Sequence, residues 1–130
     1  MRIKELCKKA HQNALEKGFW DVDKHVKEFE KAYKDYGRSL KKEKGNFILG
    51  VCDGLTNAFM TQKLMLIVTE LGEAVEALRK NDKDNFEEEL ADTCIRIFDL
   101  CGSLGIDLEK AITEKMVRNE KRPYKHGKQF

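Results

Sequence analysis

The sequence predicts an all-α protein, a helical bundle of about four to five helices. Three observations carry that expectation. The 130 residues include a single proline and are 37% charged, with Lys, Glu, Leu and Ala abundant, a composition that favours helix. Apolar residues recur at helical spacing along most of the chain. No long alternating run of Val, Ile, Thr and aromatics occurs, and no Asn-Gly or Asp-Gly pair marks a hairpin. The length suits one domain over residues 1–130 and is too short for two separate cores.

The first helix is expected from about Arg2 to Lys17. Ile3, Leu6, Cys7, Ala10 and Ala14 form its apolar stripe, and Gly18 stops it. A second helix opens at Asp21 or Asp23. Val22, Val26, Phe29, Tyr33 and Tyr36 recur at alternating spacings of four and three, the period of an amphipathic helix, and Gly37 ends it. Residues 38–57 are polar and basic and contain Gly45, Gly50 and Gly54, which reads as a loop with a short helix around Phe47 to Val51. The third helix is expected from near Thr56 to about Lys80, with Leu64, Ile67, Leu71, Ala74 and Leu78 as its core stripe. Asn81 stops it, and Asp82 or Asp84 caps the next. The fourth helix carries Phe86, Leu90, Cys94, Ile97, Cys101 and Leu104 on one face and ends at Gly102 and Gly105. Asp107 then caps a fifth, bounded by Pro123. Short links between the last three helices favour antiparallel neighbours.

Charge and cysteine content argue against several function classes. The net charge of +2 is no global field for nucleic acid. No CxxC pair occurs, and Cys7, Cys52, Cys94 and Cys101 read as buried, reduced thiols in a cytoplasmic protein. The N-terminal stretch lacks the apolar core of a signal peptide. No run reaches the ~18 apolar residues a membrane span needs.

The stretch TELGEAVEALRKNDKDNFEEELADT, Thr69 to Thr93, holds nine carboxylates. Residues three apart on a helix project side by side, so Glu70 and Glu73 form a pair that borders the apolar stripe of the third helix. A carboxylate intruding on a core needs cations, donors or a metal. Glu89 and Asp92 repeat the spacing on the fourth helix. Each pair alone reads as an ordinary solvated face. Two pairs on consecutive helices joined by a short antiparallel turn face each other, and clustered carboxylates without histidine suit Mg²⁺ or Mn²⁺ rather than Zn²⁺. Glu76, Asp82, Asp84, Glu87 and Glu88 have cap and surface explanations.

E-x-x-E, fifteen residues, then E-x-x-D resembles the metal signature of the MazG-like all-α nucleoside triphosphate pyrophosphohydrolases, relatives of the dimeric dUTPases and dCTPases. QKLMLIVTELGEAVEALRK is similar to the family's first metal helix, and EEELADTCIRIFDLCGSLGIDLEKAI to its second helix and the following link. EKMVRNEKRPYKHGKQF is similar to its C-terminal segment, with K-x-x-x-N at Lys115 and Asn119. AHQNALEKGFWD resembles the start of these proteins. The resemblance covers about residues 4–22 and 60–130; residues 23–57 read as an insertion, and 124–130 as a flexible tail.

The resemblance implies Mg²⁺-dependent hydrolysis of a nucleoside triphosphate, in particular a deoxynucleoside triphosphate, to the monophosphate and pyrophosphate, in nucleotide-pool control. It implies Glu70, Glu73, Glu89 and Asp92 as metal ligands, with the general base on the Glu70–Glu73 helix. It also implies Lys115, Asn119, Arg118 and Arg122 at the phosphates or sugar, His11, Phe19 and Trp20 at the base, and a homodimer or homotetramer. Many relatives have a second glutamate where this chain has Thr69, which bears on additional metals rather than the first. Taken alone, Trp20 reads equally as a core anchor and His11 as a surface residue. The competing reading is a non-catalytic nucleic-acid-binding bundle that uses the basic C-terminal segment. A carboxylate-bridged redox centre is disfavoured, because no histidine follows a glutamate at E-x-x-H spacing.

Overall fold

The computed structural model describes residues 2–36 and 42–123. They form five helices: α1 (Ile3–Glu16), α2 (Asp21–Tyr36), α3 (Lys42–Arg79), α4 (Lys83–Leu104) and α5 (Leu108–Glu120). No strand occurs among the described residues. The all-α expectation holds. The stop expected at Gly37 and the tail 124–130 lie outside the described residues.

The chain reversals follow from local chemistry. Gly18 sits at φ +77° after α1, where the Phe19 N–H reaches the Ala14 carbonyl and the Gly18 N–H that of Leu15. This is the Schellman closure that needs a left-handed residue. Asn81, at φ +56°, does the same after α3, with the Asp82 N–H donating to the Ala77 carbonyl. The Asp82 side chain then accepts from the Asn85 N–H and caps α4. Gly105 ends α4 in left-handed geometry, and Asp107 caps α5 by accepting from the Lys110 N–H. Gly102, expected near the end of α4, lies in its last turn, and Gly105 is the C-cap.

α4 is the centre of the bundle. It packs against α1 on one side and α3 on the other, α2 lies on α3, and α5 rests on α1. The α3–α4 hairpin is antiparallel, since Glu70 meets Arg96 while Glu73 meets Glu89. Gly102 allows the α1–α4 approach: a Cβ there would lie 2.6 Å from the Cys7 carbonyl oxygen and 2.7 Å from the His11 Cβ.

Two expectations are corrected. From Lys42 onward the expected loop is helix, and Thr56 is an interior residue of α3 rather than its cap. α2 folds back onto the early part of α3 and supplies the tertiary contacts that outweigh the glycines. Cys52 is buried there, and Gly45 comes so close to Tyr33 that a Cβ would meet its hydroxyl at 2.7 Å.

The core stripe of α3 is also shifted, with Ala74 buried as expected and its leucines not. Glu70, Ala74 and Ala77 face inward, Ala77 with 2% exposure, whereas Leu64, Leu71 and Leu78 are exposed, Leu78 to 64%. Small side chains let α3 approach α4 closely, and this close approach sets the face. On α4, Leu90, Cys94 and Leu104 are likewise exposed, while Thr93 and Cys101 are buried. Of the four thiols, Cys7, Cys52 and Cys101 are buried as expected and Cys94 is not; all are free. Burial pushes the Cys7 and Cys101 thiols up from their ordinary range. Among the described residues, no helix is long and apolar enough to cross a membrane.

Candidate metal centre

The register of the α3–α4 hairpin brings three carboxylates together. Glu70 and Glu73 project from α3 and Glu89 from α4, and one oxygen of each lies within 4.8 Å of the others. Glu70 is buried, Glu89 half-buried and Glu73 exposed. Partial burial, followed by the like charges of Glu73, Glu70 and Asp92 and a hydrogen bond to Glu70, holds the Glu89 carboxyl above the ordinary carboxylate range. Burial and like charge both disfavour the ionised form of Glu89, and a cation beside it would offset both. The donors are all oxygen, with no imidazole or thiolate in the cluster. That set fits a hard divalent ion such as Mg²⁺ or Mn²⁺.

Glu70 has a cationic partner within the chain. Arg96 Nε donates to Glu70 Oε1 at 2.5 Å. On the other side of Arg96 lies a cavity of about 200 Å³ between α1, α3 and α4, lined by Asn13, Phe19, Lys63, Asp92, Arg96 and Asp99 among others. Asp92 is an exposed wall of this cavity rather than a member of the three-glutamate cluster. It remains near enough for its charge to raise Glu89.

His11 and Trp20 meet at the same end of the bundle. Their rings are edge to face, with centroids 5.3 Å apart, and both bind Asp99 of α4. Trp20 Nε1 donates to the two Asp99 oxygens at 2.9 and 3.1 Å, and His11 Nδ1 lies 2.8 Å from Oδ1. Trp20 is buried, at 4% exposure, while Phe19 is exposed. The Lys63 ammonium sits 4.3 Å from the centroid of the Trp20 ring and donates to the Phe19 carbonyl at 2.6 Å. Burial lowers the Lys63 pKa, with Asp99 and Asp23 opposing the shift and Arg96 adding to it.

Lys115, Arg118 and Asn119 are exposed on α5, and Arg122 is exposed just beyond it. α5 packs on α1, and none of these residues lines the cavity beside the cluster.

Sequence reasoning passed over three residues that the fold places at the centre. Arg96 and Asp99 follow Asp92 at four and seven residues, on the edge shared with Glu89, and read there as a polar border. Lys63 lies seven residues before Glu70, hence on the same face of α3. Helical spacing contained all three signals, but only the packing of α1 against α4 distinguishes them from solvated charge.

A comparison with family models matches residues 65–130 to the MazG-like family. Comparisons with curated proteins and with solved structures return no match. The matched span begins inside α3 and takes in the α3–α4 hairpin, all three clustered glutamates, Asp92 and α5. It leaves out the N-terminal stretch bearing His11 and Trp20, which the fold ties to the same helix through Asp99. The match covers just over half of the chain, and the protein belongs to the MazG-like family.

Proposed function

We propose that this protein is a divalent-metal-dependent nucleoside triphosphate pyrophosphohydrolase, converting a nucleoside triphosphate, with deoxynucleotides as the leading class, to the monophosphate and pyrophosphate. The observation that carries the reading is the convergence of Glu70, Glu73 and Glu89 beside a cavity lined by Lys63 and Arg96 as well as Asp92 and Asp99, in a chain of the MazG-like family. Glu70, Glu73 and Glu89 would hold Mg²⁺ or Mn²⁺, with Asp92 completing the set from the cavity wall. A cation held there supplies electrophilic assistance at the phosphate oxygens and acidifies bound water.

The chain's own residues divide the remaining work. Glu70 is engaged by Arg96, whereas Glu73 is exposed and makes no side-chain hydrogen bond among the described residues. Glu73 is therefore the better-placed proton acceptor for the attacking water. Arg96 and Lys63 bring positive charge to the cavity that faces the cluster. His11 and Trp20 would act on the base side through Asp99, which they hold and which lines the cavity. Lys115, Asn119, Arg118 and Arg122 serve the phosphates or sugar in this reading, and the cytoplasm is where the nucleotide pool lies.

The same proposal includes self-association. Leu64, Val68, Leu71, Val75 and Leu78 are all exposed on α3. They follow the alternating four-three spacing of a coiled-coil seam. A second copy of the chain, in a homodimer or homotetramer, is the occupant that suits this seam.

The test is a panel of nucleoside and deoxynucleoside triphosphates incubated with Mg²⁺ or Mn²⁺, with pyrophosphate followed over time. Release from at least one nucleotide, abolished by chelator and by Glu73→Gln, is expected. The absence of pyrophosphate from every nucleotide, or a fully active Glu73→Gln, refutes the reading.

A further inference from the structure

Arg96 touches two places at once. Its Nε is bonded to the Glu70 carboxylate of the acidic cluster, and the side chain also walls the cavity that holds Lys63 and Asp92. A guanidinium stays charged at any physiological pH, so it is a resident cation on an oxygen that a divalent ion would also use. The neighbouring groups leave it this role. Asp99, the other acid on its side of the cavity, already has its oxygens occupied by Trp20 and His11. Lys63 is held by the Phe19 carbonyl and the Trp20 ring. Of the two cationic walls, Arg96 alone is bonded to the cluster. Phosphate oxygens offer a guanidinium a matching fork-shaped partner.

We propose that Arg96 is a built-in counter-ion that Glu70 exchanges for a divalent cation when a polyphosphate enters the cavity, so that metal and polyphosphate bind cooperatively. Without polyphosphate, Arg96 competes with the metal for Glu70 and weakens its binding. A polyphosphate draws the guanidinium across the cavity and frees the carboxylate. Linkage makes the effect reciprocal: metal on Glu70 releases Arg96 and thereby strengthens polyphosphate binding. The inference rests on the metal reading of the acidic cluster.

The test uses the full chain and two binding measurements that require no turnover. Mn²⁺ binding is followed by electron paramagnetic resonance without phosphate, and tripolyphosphate binding by calorimetry in chelator. Arg96→Gln is expected to bind Mn²⁺ about fivefold or more tightly than wild type, and tripolyphosphate more weakly by a similar factor. Arg96→Lys, which keeps the charge, is expected to stay within about twofold of wild type for Mn²⁺. Glu70→Gln frees Arg96 from the opposite side and should bind tripolyphosphate more tightly in chelator, by more than the charge-matched control Glu73→Gln does. This second arm decides the matter if Arg96→Gln does not fold. Mn²⁺ affinity in Arg96→Gln equal to or weaker than wild type, or equal gains in Glu70→Gln and Glu73→Gln, overturns the proposal while leaving the metal reading intact. Failure of wild type and Arg96→Gln alike to bind Mn²⁺ overturns both.

Discussion

Trp20 on the α1–α2 turn donates its indole N–H to both carboxylate oxygens of Asp99 on α4, at 2.9 and 3.1 Å. His11 meets the same carboxylate, so one acid ties together the N-terminal aromatics and the helix that also carries Glu89. Removing that acceptor leaves two buried or half-buried donors without a partner. Asp99→Ala is expected to cost about 1.5–3 kcal/mol of unfolding free energy, measured by urea denaturation. Because the protein has a single tryptophan, its emission should shift to the red in the folded variant. Asp99→Asn, which retains one acceptor oxygen, should fall between the two.

The Glu73 prediction separates function from fold. Glu73 is exposed, and its charge adds to the repulsion on Glu89. Neutralising it as Glu73→Gln should leave the melting temperature unchanged or raise it in the absence of metal. Pyrophosphate release should nevertheless fall by about 100-fold or more, as expected on losing a general base. Loss of activity together with a lowered melting temperature would instead mark Glu73 as a structural residue.

The raised Glu89 pKa has a definite sign. A group whose folded pKa exceeds its unfolded value contributes stability below the unfolded value, about 4.3 for glutamate. That contribution is lost as pH rises through the folded value. Burial of Glu89, and then the crowding of Glu73, Glu70 and Asp92 around it, therefore disfavour the metal-free fold at neutral pH, and a divalent cation would offset the crowding. Mg²⁺ is expected to raise the melting temperature more at about pH 7.5 than at about pH 4.5, where protons already neutralise the cluster. An equal increment at both values, measured by differential scanning fluorimetry, would contradict the assignment.

Much of this architecture is legible in the sequence, and the reasons are local. Gly18, Asn81 and Gly105 occupy the left-handed positions that their side chains permit, and Asp82 and Asp107 cap the helices they precede. The pairing of the two acidic helices follows from E-x-x-E, a short turn and E-x-x-D. What escaped is non-local. Gly45, Gly50 and Gly54 look like breaks until α2 is known to lie along that segment. The inward face of α3 is set by Ala74 and Ala77 against α4, not by the leucines, which a hydrophobicity pattern alone selects first. Asp99 and Arg96 are ordinary surface charges until α1 and α3 close over them.

Gly102 tests the α1–α4 contact that places His11. Alanine improves helix propensity by about 1 kcal/mol. Here its Cβ would meet the Cys7 backbone oxygen at 2.6 Å, an atom that cannot swing away. Gly102→Ala is expected to destabilise the protein by about 1–3 kcal/mol, read from chemical denaturation. A stabilised variant would show that α1 does not seat there.

The apolar seam of α3 makes a prediction for assembly. Leu71 lies at its middle and is exposed in the single chain. Leu71→Glu should convert an oligomer into monomers by light scattering while leaving the far-ultraviolet circular dichroism helical. A wild-type protein that is monomeric across a wide concentration range would remove this part of the account.

In the proposed reaction the glutamate cluster directs water to the α-phosphorus of a nucleoside triphosphate. The most direct measurement is mass spectrometry of the products formed with Mg²⁺ in ¹⁸O-labelled water from the best substrate of the nucleotide panel. The account predicts a nucleoside monophosphate carrying the label and unlabelled pyrophosphate. Formation of nucleoside diphosphate and orthophosphate, label in the pyrophosphate, or an intact triphosphate would contradict it.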